Sequence, residues 1–437
     1  MTIRKTPAGG WPDPYVPGHG SAAYVVTHYG LELVYRVTPN RLEGTATLDV
    51  RTLVDVTELR LDLDRLKVTR VQVGGRAARY AQKAGSVVVR LAAPAPAGTE
   101  LTVQVAYSGN PRPSRGTWGE TGWEELTDGV LVAGQPDGAP TWFPCNDHTG
   151  YKATLDLTVT VDAPYTVVAC SPVQRVTRRS STRTWVFERT EPLCVYLMTL
   201  QVGQYDLAPL GPGAQVARPA ALAGRVDADL SRHAELVGVF EDAFGPYPFS
   251  SYTLVVTPDP LEIPLEAHAA AVFGSNHLDG HGGADRLVAH ELAHQWFGNS
   301  VSVGRWQDVW LNEGFACYAE WIWSGASGGS ATDAQARAAH DRLARLPQDL
   351  VVGDPGPDDM FDDRVYKRGA LTLHALRLTV GDDAFFRLLH AWTERHRFGT
   401  VATADLRALA AEVCGTDGLE DLFDAWLTRP ALPALPR

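Results

Sequence analysis

LVAHELAHQWFGNSVSVGRWQDVWLNEGFA, residues 287–316, is the segment from which the architecture of this chain can be inferred. It contains His290, Glu291 and His294 in the order H-E-x-x-H, and Glu313 follows after 18 intervening residues. Histidines four positions apart lie on one face of an α-helix, so both imidazoles can reach one metal ion. A catalytic zinc site needs three protein ligands, and Glu313 is the natural third. Glu291 projects about 100° further round the helix, beside the metal, where it can deprotonate a water.

A single H-E-x-x-H match can occur by chance in an ordinary helix. Here the flanking residues support the metal site, because Val288 and Leu292 give the helix an apolar side and Gly298 can end it as a C-cap glycine. Residues 310–323 are predicted to form a second helix that presents Glu313. The sequence therefore predicts one zinc ion per chain, bound by the two histidines and this glutamate.

The composition excludes several classes of protein. A net charge of -12 argues against nucleic-acid binding, which needs a basic face. The sequence contains no run of 18 apolar residues, so no membrane span is predicted, and the N-terminus has no apolar signal-peptide core. The five cysteines are scattered and odd in number, which favours reduced thiols in a cytoplasmic protein over a disulfide framework.

The first half of the chain has the pattern of β-strands. Between residues 24 and 207, short segments alternate apolar and polar residues, many of them β-branched, with turn residues between them. This predicts an antiparallel β domain of sandwich or saddle type, preceded by an extended arm over residues 1–20. Residues 118–149 have little periodicity and are predicted to form a long, ordered loop.

The second half is predicted to be mostly helical with a small sheet. Residues 208–224 are rich in proline, glycine and alanine and are predicted to link two domains. The predicted fold class is multi-domain α+β, with a β domain over 1–207 and a metal-binding domain over 208–437.

Several motifs together resemble one enzyme family. H-E-L-A-H and the later W-L-N-E-G-F-A look like the zinc aminopeptidases related to aminopeptidase N and the leukotriene hydrolases, which are gluzincins. W-F-P-C-N-D (142–147) followed by K-A-T-L (152–155) is similar to the family segment F-P-C-x-D-x-P-x-x-K-A. V-Y-K-R-G-A (365–370) resembles the family's Y-E-K-G-A. The resemblance implies a thermolysin-like catalytic domain, and it implies that Tyr366 stabilises the tetrahedral intermediate.

The same resemblance implies where the substrate's amine binds. The family's G-A-M-E-N glutamate grips the free α-amine, and its best counterpart is Glu266 in I-P-L-E-A, 24 residues before His290. Pro264 in this segment cannot donate a backbone N–H, and a solvent-facing loop carboxylate is the alternative for Glu266. Gln135, 12 residues before Asp147, is a second candidate for the amine pocket or else a polar loop residue.

Two further residues are candidates for supporting the metal ligands. Glu320 lies seven residues after Glu313, on the same helix face, and could accept a hydrogen bond from a ligand histidine. An ordinary surface carboxylate is its alternative. Asn312 is the other candidate. The chain ends about 70 residues after Tyr366, so it resembles a two-domain version without the family's C-terminal helical domain, with a cleft that is open or covered by another subunit.

These observations predict a cytoplasmic zinc aminopeptidase that acts on peptides. A zinc endopeptidase, or another zinc hydrolase with altered amine recognition, is an alternative because the segment around Glu266 departs from the family pattern. An inactive binding or scaffold protein is an alternative of another class. The presence of both Glu291 and Tyr366 argues against an inactive protein.

Overall fold

The computed structural model describes residues 12–436, in which a β-rich domain precedes a mainly helical domain. This order and the α+β fold class were predicted from the sequence. The predicted N-terminal arm lies partly outside the described residues. Of its described part, Asp13 is buried and accepts a hydrogen bond from the backbone N–H of Trp306 at 2.7 Å. The segment before the first strand therefore packs against the second domain.

The first domain contains three sheets. Nine strands form the largest sheet, with the order β14-β15-β12-β1-β2-β8-β4-β5 and with β16 added beside β12. The other two sheets have the orders β13-β17-β11-β10-β9 and β3-β7-β6. Pairing is antiparallel except between β1 and β12, which are parallel. The strands are β1 (Tyr24–Arg36), β2 (Arg41–Thr52), β3 (Val56–Asp62), β4 (Lys67–Val73), β5 (Arg76–Ala77), β6 (Tyr80–Lys83), β7 (Ser86–Ala95), β8 (Glu100–Gly109), β9 (Ser114–Gly116), β10 (Gly119–Leu126), β11 (Gly129–Ala133), β12 (Lys152–Asp162), β13 (Thr166–Ala169), β14 (Val173–Arg178), β15 (Thr182–Phe187), β16 (Leu193–Cys194) and β17 (Leu200–Gly203).

Strand β1 shows how the alternating pattern specifies one buried face. Tyr24 and Val26 are buried at even positions, whereas the buried residues from Tyr29 to Tyr35 lie at odd positions. The pairing register with β2 shifts between Val26 and His28. A bulge adds one residue to a strand and so reverses which face the following side chains occupy. The bulge therefore keeps the apolar residues on one side of the sheet along the whole strand.

Two predictions for the first domain were wrong in detail. Residues 118–149 are not one long loop, because β10 and β11 form a hairpin within them. The hairpin was missed because β10 contains few apolar residues and β11 is buried along most of its length, so neither strand alternates in polarity. The pattern of residues 195–203 predicts a single strand, but Val195–Leu197 forms a 3₁₀ turn and the strand begins at Leu200.

The second domain has a small sheet and nine α-helices within the described residues. The sheet order is β18-β19-β20-β22-β21, and β23 pairs with β24. No helix of the described chain combines the length and apolarity that crossing a membrane requires. The elements are β18 (Asp206–Gly211), β19 (Ala214–Arg218), α1 (Ala223–Asp229), α2 (His233–Phe244), β20 (Tyr252–Val256), β21 (Leu265–Ala267), β22 (Ala270–Phe273), α3 (Asp285–Ala293), β23 (Ser302–Val303), α4 (Trp310–Ala326), α5 (Thr332–Leu343), α6 (Asp363–Val380), α7 (Asp382–Arg395), β24 (Thr400–Val401), α8 (Thr403–Cys414) and α9 (Leu419–Phe423).

The predicted linker, residues 208–224, is wrong as a linker. Most of it lies in β18 and β19, and β19 pairs in parallel with β20 of the second domain's sheet. Proline and glycine obscured these strands, but Pro209 lies beside a bulge in β18, which is an edge strand, and the remaining residues of this kind lie at strand ends or in the turn. The boundary between 207 and 208 falls inside β18, and the division into 1–207 and 208–437 stays a prediction.

Candidate metal centre and active site

The two histidines of the H-E-x-x-H motif lie on one face of the helical segment that begins with α3. His290 is inside the helix, and His294 follows its last residue with a helical backbone, at φ -57° and ψ -22°. The regular helix thus ends at Ala293, before the glycine predicted to stop it. The Nε2 atoms of His290 and His294 lie 3.4 and 3.5 Å from the same carboxylate oxygen, Oε2 of Glu313 on α4. The structure therefore brings the three predicted ligands together.

Each histidine is held through its other ring nitrogen. Nδ1 of His290 lies 2.8 Å from Oε1 of Glu320, and Nδ1 of His294 lies 3.0 Å from the backbone oxygen of Phe297. Both partners are acceptors, so each Nδ1 carries the proton and each Nε2 lone pair can face a metal ion. Two imidazoles and one carboxylate, with atoms within 4.8 Å of one another, fit the donor set of a catalytic zinc site.

The electrostatics of this cluster favour a cation at its centre. Burial alone would lower the pKa of His290, but its hydrogen bonds with Glu313 and Glu320 outweigh burial and raise it to about 9. Burial would raise the pKa of Glu313, yet the charges and hydrogen bonds of the two histidines lower it to about 2. Positive charge on the histidines is thus stabilised by a carboxylate that stays ionised. A zinc ion would take over that positive charge, and the histidine protons would leave as it binds.

Glu291 points into the same centre without a partner in the described protein. Its Oε2 atom is buried and makes no hydrogen bond. Burial raises the pKa of its carboxyl to about 7, against the pull of the charged histidines. A carboxyl with a pKa near neutrality can both take up and release a proton at physiological pH. Glu291 therefore has the position and the pKa of a general base beside the metal cluster.

Tyr366 comes from α6 and lies over the ring of His290. The two ring centroids are 6.1 Å apart and the ring planes are inclined by 16°. Burial and the surrounding carboxylates raise the pKa of Tyr366 well above its usual value. The phenol consequently keeps its proton and can donate a hydrogen bond to negative charge that develops near the metal cluster.

A close helix contact sets the distance between Tyr366 and Glu313. Helices α4 and α6 cross where Gly314 faces Gly369. Gly314 directly follows Glu313, and Gly369 lies three residues after Tyr366. A Cβ atom at Gly369 would lie only 2.9 Å from Cα of Gly314. Two glycines are needed here because any side chain would push the helix backbones apart.

We expect Gly369→Ala to destabilise the protein by about 1–3 kcal/mol, the usual cost of overpacking. It should also lower kcat/KM, because the helices that carry Glu313 and Tyr366 would separate. Thermal unfolding and steady-state kinetics measure the two effects. Gly238→Ala is a matched control, since it is also a helical glycine but a Cβ there meets nothing within 4 Å. Equal stability of the two alanine variants would contradict the packing role of Gly369.

The cleft beside the metal cluster lies between the two domains. Gln135 follows β11 of the first domain, and its Nε2 donates a hydrogen bond to Oε1 of Glu266 at 2.6 Å. Glu266 lies on β21, the edge strand of the second domain's sheet. Carboxylate oxygens of Glu266 and Glu291 and a ring nitrogen of His294 lie within 4.8 Å of one another. All these residues line a cleft with about 680 Å³ of empty space.

The two predicted supporting residues differ in what they contact. Glu320 is buried and makes the predicted contact with His290. Asn312 is also buried, but the Nδ1 atom of His294 is occupied by Phe297, so Asn312 does not hold a ligand ring. Its side chain instead packs beside Gly298, next to His294.

Sequence reasoning missed two cations that line the cleft, Arg286 and Lys367. Arg286 lies one helical turn before His290, and Lys367 directly follows Tyr366. Both contact Glu320, at 3.2 and 3.8 Å respectively. The four-residue spacing of Arg286 could have revealed it, because it places the side chain on the face of the metal ligands. The backbone carbonyl of Phe297, which holds the ring of His294, could not be predicted from spacing, because every residue has a backbone carbonyl.

Two family profiles cover most of the chain. Residues 25–197 match the profile described as the peptidase M1 N-terminal domain, and residues 229–426 match the peptidase family M1 domain. A solved structure of an M1 zinc metallopeptidase from Deinococcus radiodurans, a mutant bound to the substrate Tyr-Ser-Ala, is 31% identical in sequence. The two superpose with a TM-score of 0.88, over 97% of this chain and 99% of that one.

Curated relatives are longer than this chain. Aminopeptidase N of Lactococcus lactis subsp. lactis is 30% identical over 322 residues, and aminopeptidase N of Streptomyces lividans is 32% identical over 326 residues. Each match covers 67% of this chain, but only 38% and 37% of the respective relative. The chain thus spans about two fifths of the length of these relatives.

Proposed function

Because the chain belongs to peptidase family M1, as its motifs predicted, we propose that it is a zinc-dependent aminopeptidase that releases N-terminal residues from peptides. The observation that carries this proposal is the position of Glu266. Its carboxylate shares one cleft with the metal cluster and lies close to Glu291 and His294. A peptide whose ammonium group binds Glu266 has its first peptide bond beside the metal cluster.

Zinc would be held by His290, His294 and Glu313, and when bound it supplies Lewis-acid polarisation of water and of the scissile carbonyl. Glu291 takes the proton from the attacking water on its buried oxygen. The same carboxyl then delivers that proton to the nitrogen of the leaving amine. Tyr366 donates its hydroxyl hydrogen bond to the oxyanion, a role that is typically worth about 3 kcal/mol.

The amine is selected by Glu266 with the help of Gln135. Burial raises the pKa of the Glu266 carboxyl, because the ionised form is poorly solvated there. The ammonium group of a substrate would stabilise that ionised form. The side-chain amide of Gln135 already holds one of its oxygens, which leaves the other for the substrate. Because Glu266 lies on an edge strand, an extended peptide can run alongside it. Pro264 removes one backbone donor from that edge.

Fluorogenic coumarin amides of amino acids test this proposal directly. We expect the zinc-loaded protein to cleave substrates with a free amine at least about 100-fold faster than their N-acetylated forms, because acetylation removes the charge that Glu266 binds. Glu266→Gln should reduce this selectivity, and Glu262→Gln, an exposed carboxylate in the same segment, should not. Equal cleavage of blocked and free substrates by the wild-type protein would show that it is not an aminopeptidase.

The second candidate function is a zinc endopeptidase, which the departure of Ile263–Ala267 from the family pattern favours. An endopeptidase would use the same catalytic steps and would lack only the binding of the substrate's N-terminal amine. Cleavage of the acetylated coumarin substrates, or internal cleavage of a denatured protein, would support it. No cleavage of any substrate by a fully zinc-loaded preparation would support the inactive scaffold instead.

We also propose a cytoplasmic location. The support is the state of the cysteines, because all five are free thiols and four of them are buried. Buried free thiols are compatible with a reducing compartment. Expression of a fluorescent fusion in the native cell, followed by fractionation, measures the location.

A further inference from the structure

The two cations that line the cleft, among the described residues, lie at the same end of it, together with Glu320 and Asp363. Glu266 and Gln135 lie at the other end, near His294 and Glu291. The metal cluster lies between these two ends.

Arg286 is the cation that can reach a ligand. Its Nη1 atom lies 3.2 Å from Oε1 of Glu320, the oxygen that also receives Nδ1 of His290 at 2.8 Å. The guanidinium therefore lies within about 6 Å of the ring of a metal ligand. Its side chain is 61% exposed, and one of its five N–H donors makes this contact. The other N–H groups of the guanidinium can bind a carboxylate through two hydrogen bonds.

Lys367 shares the carboxylate of Glu320 with Arg286. The Nζ atom of Lys367 lies 3.8 Å from Oε2 of Glu320 and donates to Sγ of Cys317 at 3.1 Å. Its side chain is mostly buried, so it is fixed in place. One carboxylate is thus shared by a histidine, a lysine and an arginine. Asp363, the remaining acid at this end of the cleft, acts on Lys367 from one turn earlier on α6.

The distances along the metal helix match a short peptide. Arg286 precedes His294 by eight residues, a little over two helical turns, which is about 12 Å along the helix axis. An extended chain advances about 3.3–3.6 Å per residue, so a dipeptide or tripeptide spans about 7–10 Å. A peptide whose amine lies at Glu266 would therefore direct a carboxylate of its second residue towards the long side chain of Arg286.

We propose that Arg286 binds a substrate carboxylate on the leaving side of the scissile bond. This inference rests on the proposed aminopeptidase function, because it assumes that Glu266 holds the amine. The C-terminal carboxylate of a dipeptide has the required chemistry, and so does an acidic side chain directly after the scissile bond. In either case the substrate is held at both ends, with its first peptide bond at the metal cluster.

Four dipeptides with the same N-terminal leucine separate these sources: Leu-Ala, Leu-Ala amide, Leu-Glu amide and Leu-Gln amide. A charge-assisted hydrogen bond predicts that kcat/KM is about 10- to 100-fold higher for the member of each pair that carries the preferred carboxylate. A preference for Leu-Ala over its amide assigns Arg286 to the C-terminus. A preference for Leu-Glu amide over Leu-Gln amide assigns it to an acidic side chain.

Arg286→Gln should reduce the preferred ratio to below about threefold, since it removes the charge, and Arg286→Lys should retain part of it. Arg337→Gln, an exposed arginine on α5, is the matched control and should keep the wild-type ratio. Zinc content and thermal stability are measured for every variant.

Two results would overturn the inference. One is a wild-type protein that cleaves all four peptides at similar rates. The other is an Arg286→Gln variant whose rates fall equally for all four, because a purely structural role through Glu320 and His290 does not distinguish substrates by charge. Failure of the proposed function is recognised separately, because free and acetylated coumarin amides carry no carboxylate and would then be cleaved equally or not at all.

Discussion

Glu291→Gln should reduce kcat by about 10²- to 10⁴-fold, the usual contribution of general acid–base catalysis. The amide has nearly the same size as the carboxyl but cannot take a proton from water. Its neighbours His290 and His294 would keep their positions, so zinc content should stay at one ion per chain. Steady-state kinetics with a free amino-acyl coumarin amide, together with metal analysis of the same preparation, measures both expectations.

The stability of this variant is a further check. Burial raises the pKa of Glu291, which means that the folded protein holds the charged form less well than the unfolded chain does. Replacing it with a neutral amide should therefore leave the melting temperature of the zinc-free protein unchanged or raise it. Glu262→Gln makes the same chemical change at an exposed position and should leave kcat unchanged. Wild-type activity in Glu291→Gln, after separation from any wild-type enzyme, would exclude Glu291 as the base.

Glu313→Ala should remove zinc and, with it, essentially all activity. Glu313 is the anionic member of the donor set, and its loss leaves two neutral imidazoles that must stay deprotonated to bind the metal. We expect less than about 0.1 zinc ion per chain after dialysis against a mild chelator, compared with one in the wild-type protein. Metal analysis by mass spectrometry measures this loss independently of activity.

Glu320→Gln provides the graded comparison for that experiment. It keeps all three ligands and weakens only the hydrogen bond that holds Nδ1 of His290. Losing such a supporting contact typically costs about 10- to 100-fold in metal affinity, which is much less than losing a ligand. If Glu313→Ala retained as much zinc as Glu320→Gln does, the metal would have to be bound elsewhere.

The conserved geometry of a helix explains why so much of the metal site was predictable. A four-residue spacing places two side chains on one face whatever surrounds the helix, so His290 and His294 needed no tertiary information. The alternation of polarity along most strands of the first domain is equally local. The hairpin at 119–133 and the strands at 206–218 were missed because their local patterns are weak, and their pairing partners decide their structure.

The amino-acid sequence alone determined the candidate metal-binding residues of this protein: a helix with two histidines, a glutamate beside them, and a further glutamate on the next helix. Only the tertiary structure decided how the cleft is completed. Gln135 meets Glu266 across 131 residues of sequence, and Glu320 meets both His290 and Arg286 on another helix. The physical reason is that spacing within one helix is set by backbone geometry, whereas contacts between distant residues depend on how whole domains and helices pack. The Gly314–Gly369 crossing shows this dependence, because two absent side chains bring Glu313 and Tyr366 to the same centre.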